Sequence, residues 1–354
     1  MLRRRLNISQ TLANKIAQDF TDFLNSWHSA PEVYDDALDA QIHKWYSDVL
    51  TDKSRKVWPP RNIPYFSPSS ANSDPRGLYE KLRGAKKERA GQPPHQGRWT
   101  RLGTAIGDTI QRDILFAEKH ARVSGIGNRP QFTFEYNERR EPMFEDFAKV
   151  GAVIEHNGKK FALYGTCDGV MKYVSDDGTV LRVGLEIKSK QGTYAQTSGY
   201  STRNGPKEDH VKQCVCYSIM YGTAAESIDY YVLLYVNGSK KGWTMTPEEF
   251  AKNPDICAFG LHITDEMRTD ILDHFAGIVD AADKGEAPTL DLDKWLFNDF
   301  KRAIALSLSV EELAAIQRKV SATLRSSLPD KQKRDYAEAL AFIENVRAET
   351  KEAA

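Results

Sequence analysis

The chain has 354 residues, 40% of them hydrophobic and 28% charged, with 49 basic residues set against 49 acidic ones. Those proportions exclude a disordered tract, a collagen and a coiled-coil rod, and no apolar run approaches the roughly 18–20 residues that cross a bilayer. A formal net charge of zero gives no pointer to a polyanionic partner, so any such signal has to lie in how the charges are distributed.

The basic start, MLRRRLNISQ, is not followed by an apolar signal core. The expectation is a cytoplasmic protein with neither export signal nor membrane anchor. Residues 8–27 place Ile8, Leu12, Ile16, Phe20, Phe23 and Leu24 at helical spacing, with Asn7 or Ser9 as the cap. A second helix is expected over 35–50. Residues 57–77 are rich in Pro, Ser and Asn and read as a turn-filled connector. Between Arg76 and Arg101, eight basic residues face only Glu80 and Glu88. Such a local excess can hold a polyanion, with Lys86, Lys87 and Arg89 against a phosphate backbone. The alternative is a solvated loop. A helix follows from near Trp99, with Leu102, Ile106, Ile110 and Ile114 as its apolar stripe.

The middle of the chain changes character. Residues 131–136, 151–156, 161–165, 169–174 and 180–189 read as strands, joined by the hairpin turn signals at Asn157–Gly158 and Asp177–Gly178. A helix over 208–222 and a buried strand over 227–237 come next. The tail reads as helices over 262–283, 290–306, 309–326 and 330–350. The expected fold class is α/β: a mixed central sheet flanked by helices, with helical additions at both ends. The expected regions are 1–60, 61–260 and 261–354.

The cysteines, Cys167, Cys214, Cys216 and Cys257, form neither a CxxC pair nor a disulfide framework. The chemistry-bearing segment is 164–190. Alternate residues of a strand share a face, so Glu186 and Lys188 project together while Leu185 and Ile187 enter the core. If 168–174 and 180–189 pair as a hairpin, Asp168 joins them. Two carboxylates and a lysine at one patch suit phosphodiester hydrolysis. Hard oxygen ligands hold Mg2+ (or Mn2+), the metal acidifies a bound water, and a lysine orients or deprotonates that water or stabilises an anionic oxygen. The carbonyl of Ile187 is a further candidate ligand.

Asp168, Glu186, Ile187 and Lys188 resemble the D…(D/E)-x-K signature of the PD-(D/E)XK nuclease superfamily. Gln213 and Tyr217, on the following helix, resemble the Q-x-x-x-Y motif of its RecB-like and phage exonuclease branches. Gly103 and Gly107 resemble the G-x-x-x-H helix, with Gly107 where the His is expected; Asp108 or Gln111 is the candidate replacement. Residues 67–82 resemble the serine-rich entry of RecB-type domains. The similarity spans about residues 65–237. It implies a restriction-endonuclease-like core and a Mg2+-dependent DNA exonuclease acting in phage-type recombination, replication or repair, in a bacterial or phage-infected host cytoplasm. DNA is the implied partner, with a single-strand-binding or annealing recombination protein as a further one, and an oligomer is compatible. Asp168 and Glu186 would hold metal, with Asp108 as an added ligand. Lys188 would handle the water, and Gln213 and Tyr217 would position the strand.

Outside that core motif, Lys190, Gln191, Tyr194, Gln196, Thr197, Tyr200 and Arg203 form a polar, aromatic-spotted loop, and Lys212 lies beside Gln213 and near His210. Lys190, Arg203 and Lys212 read as DNA contacts, with an ordinary loop as the alternative. Glu135 is a further acidic candidate. Two other functions are compatible with the motif: an endonuclease of restriction or structure-specific type, and an inactive DNA-binding module.

Overall fold

The computed structural model describes residues 2–88, 91, 93–127, 130–222, 227–240 and 242–352. Its elements begin with α1 (Leu2–Ser29), α2 (Asp36–Thr51), β1 (Tyr65–Phe66), α3 (Pro75–Leu82), α4 (Pro94–His120), β2 (Phe132–Phe134) and β3 (Val150–His156). They continue with β4 (Lys159–Gly165), β5 (Gly169–Val174), β6 (Val180–Lys190), α5 (Gly199–Thr202), α6 (Glu208–Tyr221), β7 (Tyr230–Asn237) and α7 (Pro247–Lys252). The last are β8 (Ile256–His262), α8 (Asp265–Lys284), α9 (Lys301–Ser307), α10 (Val310–Leu324) and α11 (Asp330–Glu352). The chain divides into two units, one of Met1–Ser69, Gln92–Ile154 and Ala162–Ile271, the other of Ser70–Gly91, Glu155–Phe161 and Leu272–Ala354.

The first unit holds a five-stranded sheet of order β2-β5-β6-β7-β8. β6 and β7 run parallel and the other pairs antiparallel, so the sheet is mixed. A smaller sheet has the order β1-β4-β3, with β1 parallel to β4. The class is α/β, a mixed sheet flanked by helices. The core joins Ile16, Phe20 and Leu24 of α1 and Ile110 and Ile114 of α4 to Phe132, Tyr173, Leu185, Ile187 and Val232 of the strands. α1 lies close on β8. A Cβ on Gly260 would stand 1.8 Å from the Ala13 carbonyl oxygen, and Gln10 Nε2 donates to the Gly260 carbonyl at 2.8 Å.

Several expectations are corrected here. α1 begins well before Ser9, so neither Asn7 nor Ser9 caps it. The connector carries β1 and the start of α3, which Asp74 caps through the N–H groups of Arg76 and Gly77. α4 starts at Pro94, the first-turn position that proline tolerates best, and its Leu102 is exposed. Residues 256–262 are a strand, so the tail helices begin at Asp265 rather than 262. The expected helix over 290–306 is a 3-10 turn, Leu292–Phe297, followed by the short α9.

The second unit packs Leu290, Leu292, Trp295, Ile304, Val320, Tyr336 and Ile343 into its own core. Its most buried polar side chain is Arg76, which bonds Glu80, Glu312, Ser307 and the Pro288 carbonyl.

Candidate active site

The β5–β6 hairpin sets the site. Gly169 pairs with Leu185, so Asp168, just before β5, comes beside Glu186 and Ile187. The Ile187 N–H donates to Asp168 Oδ2 at 2.6 Å. Alternation along β6 sends Leu185 and Ile187 into the core and leaves Glu186 and Lys188 on the other face. Glu186 is 1% exposed. Its Oε1 is paired with the Lys188 ammonium, and its Oε2 has no hydrogen-bond partner among the described residues. Lys188 Nζ also donates to Gln213 Oε1 at 2.9 Å, and Gln213 Nε2 donates to the Tyr217 hydroxyl at 3.1 Å. The structure thus joins Asp168, Glu186, Lys188, Gln213 and Tyr217 in one connected group. Tyr217 is buried beneath Gln213, so it backs that amide instead of meeting a strand itself.

A further carboxylate, Glu145, belongs to this group and was missed in the sequence. It lies between β2 and β3 at a φ of 45°, a region non-glycine residues seldom occupy. Its N–H donates to the Cys167 carbonyl at 3.1 Å, and its carbonyl accepts from the Thr166 hydroxyl. Its backbone is thereby pinned to the residues preceding Asp168. From α4, Gln111 Nε2 donates to the Asp168 carbonyl at 2.9 Å and to Glu145 Oε1 at 3.4 Å. Gln111 Oε1 is buried with no hydrogen-bond partner among the described residues. α4 approaches β6 at Gly103, where a Cβ would meet Ser189 Oγ at 2.9 Å. At Gly107 a Cβ would meet nothing within 4 Å, so the position one turn before Gln111 faces open space.

The electrostatics follow from burial of like charges. Burial and the neighbouring Glu186 carboxylate push Asp168 up. Burial also pushes Glu186 up, against the pull of Lys188. Burial, with Asp168 and Asp108 adding to it, raises Glu145 to about 7. Burial works against the charged Lys188, but Glu186 and Asp168 outweigh it and the lysine is held above its ordinary value. Asp108, raised by burial, stands on the exposed side of α4 and acts on Glu145.

Other expected residues have partners of their own. Glu135 is taken by Arg182, with bonds of 2.7 and 3.0 Å. Arg203 stacks on Tyr200 and bonds its carbonyl, and Lys212 pairs with Glu208. Lys190 lies over the Tyr235 ring at 3.9 Å. In the second unit Lys86 is exposed and Lys87 pairs with Asp299. Arg89 lies outside the described residues. The loop after β6 is tied down: Asn237 Nδ2 donates to the carbonyls of Thr193 and Tyr194, and Thr197 Oγ1 to that of Pro254.

Among the described residues, no three His, Cys, Asp or Glu side chains already converge as metal ligands. The donor set nonetheless suits a hard divalent cation. It is all oxygen, it sets several carboxylates against the Lys188 ammonium, and it leaves Glu186 Oε2 and Gln111 Oε1 buried and unpartnered. Buried charge of one sign is costly until a counter-charge arrives. Mg2+ keeps several waters and needs only one or two protein carboxylates.

No family model matches the sequence, and no curated protein is significantly similar to it. Solved structures with some likeness include SSO0001, with a TM-score of 0.32 and 10% identity, covering 67% of this chain and 85% of that one. An alkaline exonuclease (LHK-Exo) from Laribacter hongkongensis gives 0.32 and 12%, covering 63% and 90%. Rai1 from Scheffersomyces stipitis, in complex with (3'-NADP)+ and calcium ion, gives 0.23 and 13%, covering 71% and 66%. Likenesses of this size carry no argument about activity. Among the described residues, no helix is long and apolar enough to cross a membrane.

Proposed function

We propose that the chain is a divalent-metal-dependent nuclease that hydrolyses phosphodiester bonds of DNA, working from strand ends. The observation that carries the proposal is Glu186, buried beside Asp168 with one oxygen on Lys188 and the other unpartnered. Asp168, Glu186 and the Ile187 carbonyl would hold Mg2+ or Mn2+, with Glu145 and Gln111 reaching it through water. Such a metal, when bound, acidifies water and neutralises charge on phosphate oxygens.

In the metal-free protein Glu186 and Asp168 hold Lys188 above its ordinary value, and as an ammonium it donates. Two of its three N–H bonds go to Glu186 and Gln213. The third remains for the attacking water or a phosphate oxygen. Gln213, fixed by Tyr217, sets the direction of that donor. The preference for DNA ends is supported by the Gln213 and Tyr217 pattern and the serine-rich entry. A single-strand-binding or annealing recombination protein as partner, and a phage-type recombination setting, belong to the same reading.

The test is cleavage of end-labelled linear DNA and of covalently closed circles, with Mg2+ present or chelated. The expected result is metal-dependent degradation of linear DNA alone. Cut circles would make it an endonuclease. No metal-dependent cleavage of any nucleic acid would leave a binding module.

A further inference from the structure

Past the carboxylates, the face of β6 changes sign. Glu186, Lys188 and Lys190 alternate along one face of the strand, so Lys190 stands roughly 6.6 Å beyond Lys188. Tyr235 of β7 is paired with Lys188 in register and gathers three residues. Its ring lies 3.9 Å from Lys190 Nζ. Its hydroxyl accepts from the backbone N–H of Lys207 at 3.0 Å and bonds His210 Nδ1 at 2.8 Å, and the Lys207 side chain acts electrostatically on both Lys190 and His210.

The charged groups acting here are few. Lys190 is acted on by Lys207, Lys188 and Asp209, and His210 by Asp209, Lys190, Lys188 and Lys207. Glu186 is already engaged by Lys188, and Asp209 lies 3.8 Å from His210 Nε2. Burial and the neighbouring lysine push Lys190 down to about 8. Cations crowded on a partly buried face attract an anion.

We propose that Lys190, Lys207 and His210, gathered on Tyr235, form a second phosphate subsite. It holds the phosphate next to the one undergoing attack at Lys188. The identity of the strand rests on the nuclease reading; anion binding by these residues does not.

Binding of a fluorescently labelled single-stranded oligonucleotide, followed by anisotropy in EDTA, separates the two because nothing is cut. In Lys190→Ala/Lys207→Ala the dissociation constant is expected to rise about tenfold or more. The plot of log affinity against log salt should become shallower by about 0.7 for one lost phosphate contact. Lys190→Arg should restore most of the affinity. Tyr235→Phe, which keeps the ring and drops the hydroxyl, should fall between. Unchanged affinity and salt slope in the double variant would overturn the subsite, as would weaker binding with an unchanged slope. Oligonucleotides with a 5′-phosphate, with a 5′-hydroxyl, and as closed circles identify the source. A loss confined to the first assigns a terminal phosphate, and an equal loss in all three an internal one.

Discussion

At the scale of single residues, the site stores unfavourable charge that a bound cation would relieve. Glu186 is buried and its ionised form is disfavoured, so Glu186→Gln should stabilise the metal-free protein while abolishing cleavage. Lys188→Met should abolish cleavage too but cost about 3–5 kcal/mol, since it strands a buried carboxylate. Urea melts of the two variants in EDTA check the opposite signs; destabilisation by both would remove the electrostatic account. The trio of Asp168, Glu186 and Lys188 was legible because hairpin pairing and strand alternation are regular: the Asp177–Gly178 turn fixes the register, and the register fixes the neighbours. Glu145 was not legible. It reaches the group through a left-handed backbone and pairing with residues 166–167, and neither leaves a periodic trace.

At the scale of elements, α6 orders the amine. Tyr217 is sealed under Gln213, so Tyr217→Phe keeps the packing and removes one hydrogen bond, worth about 1 kcal/mol. With Gln213 less fixed, kcat should fall several-fold with KM little changed, measured by initial rates on linear DNA. An unchanged kcat would mean that Gln213 needs no support. The strands with alternating apolar residues and the helices with complete stripes were legible. β8 was not: it follows Pro254 and carries Gly260, whose bare backbone admits α1 but reads as a weak strand former. The connector concealed α3 because Ser and Pro dominate its composition, although Asp74 followed by Pro75 is a helix start.

At the scale of the whole molecule, stability should depend on pH and metal together. Asp168, Glu186 and Glu145 are carboxylates raised in the folded state, Glu145 to about 7. Their contribution is fully present below the unfolded values and is lost as pH rises through the folded ones. The metal-free protein should therefore melt progressively lower between about pH 5 and pH 8 on their account. Mn2+ at one fixed concentration, one hundred times its Kd at pH 8, should restore it by several degrees at pH 8, where binding contributes about 2.7 kcal/mol, and by less at pH 6, where protons compete for the carboxylates. Thermal melts in EDTA and in Mn2+ at both pH values decide this; an equal or absent metal effect would count against a carboxylate-held cation. Cys167, just before β5, and Cys214 and Cys216 of α6 are fully buried, and burial pushes their thiols far up. An alkylating reagent meets them only when the framework breathes, so their labelling rate is a built-in stopwatch for how often the ground around the carboxylates comes apart.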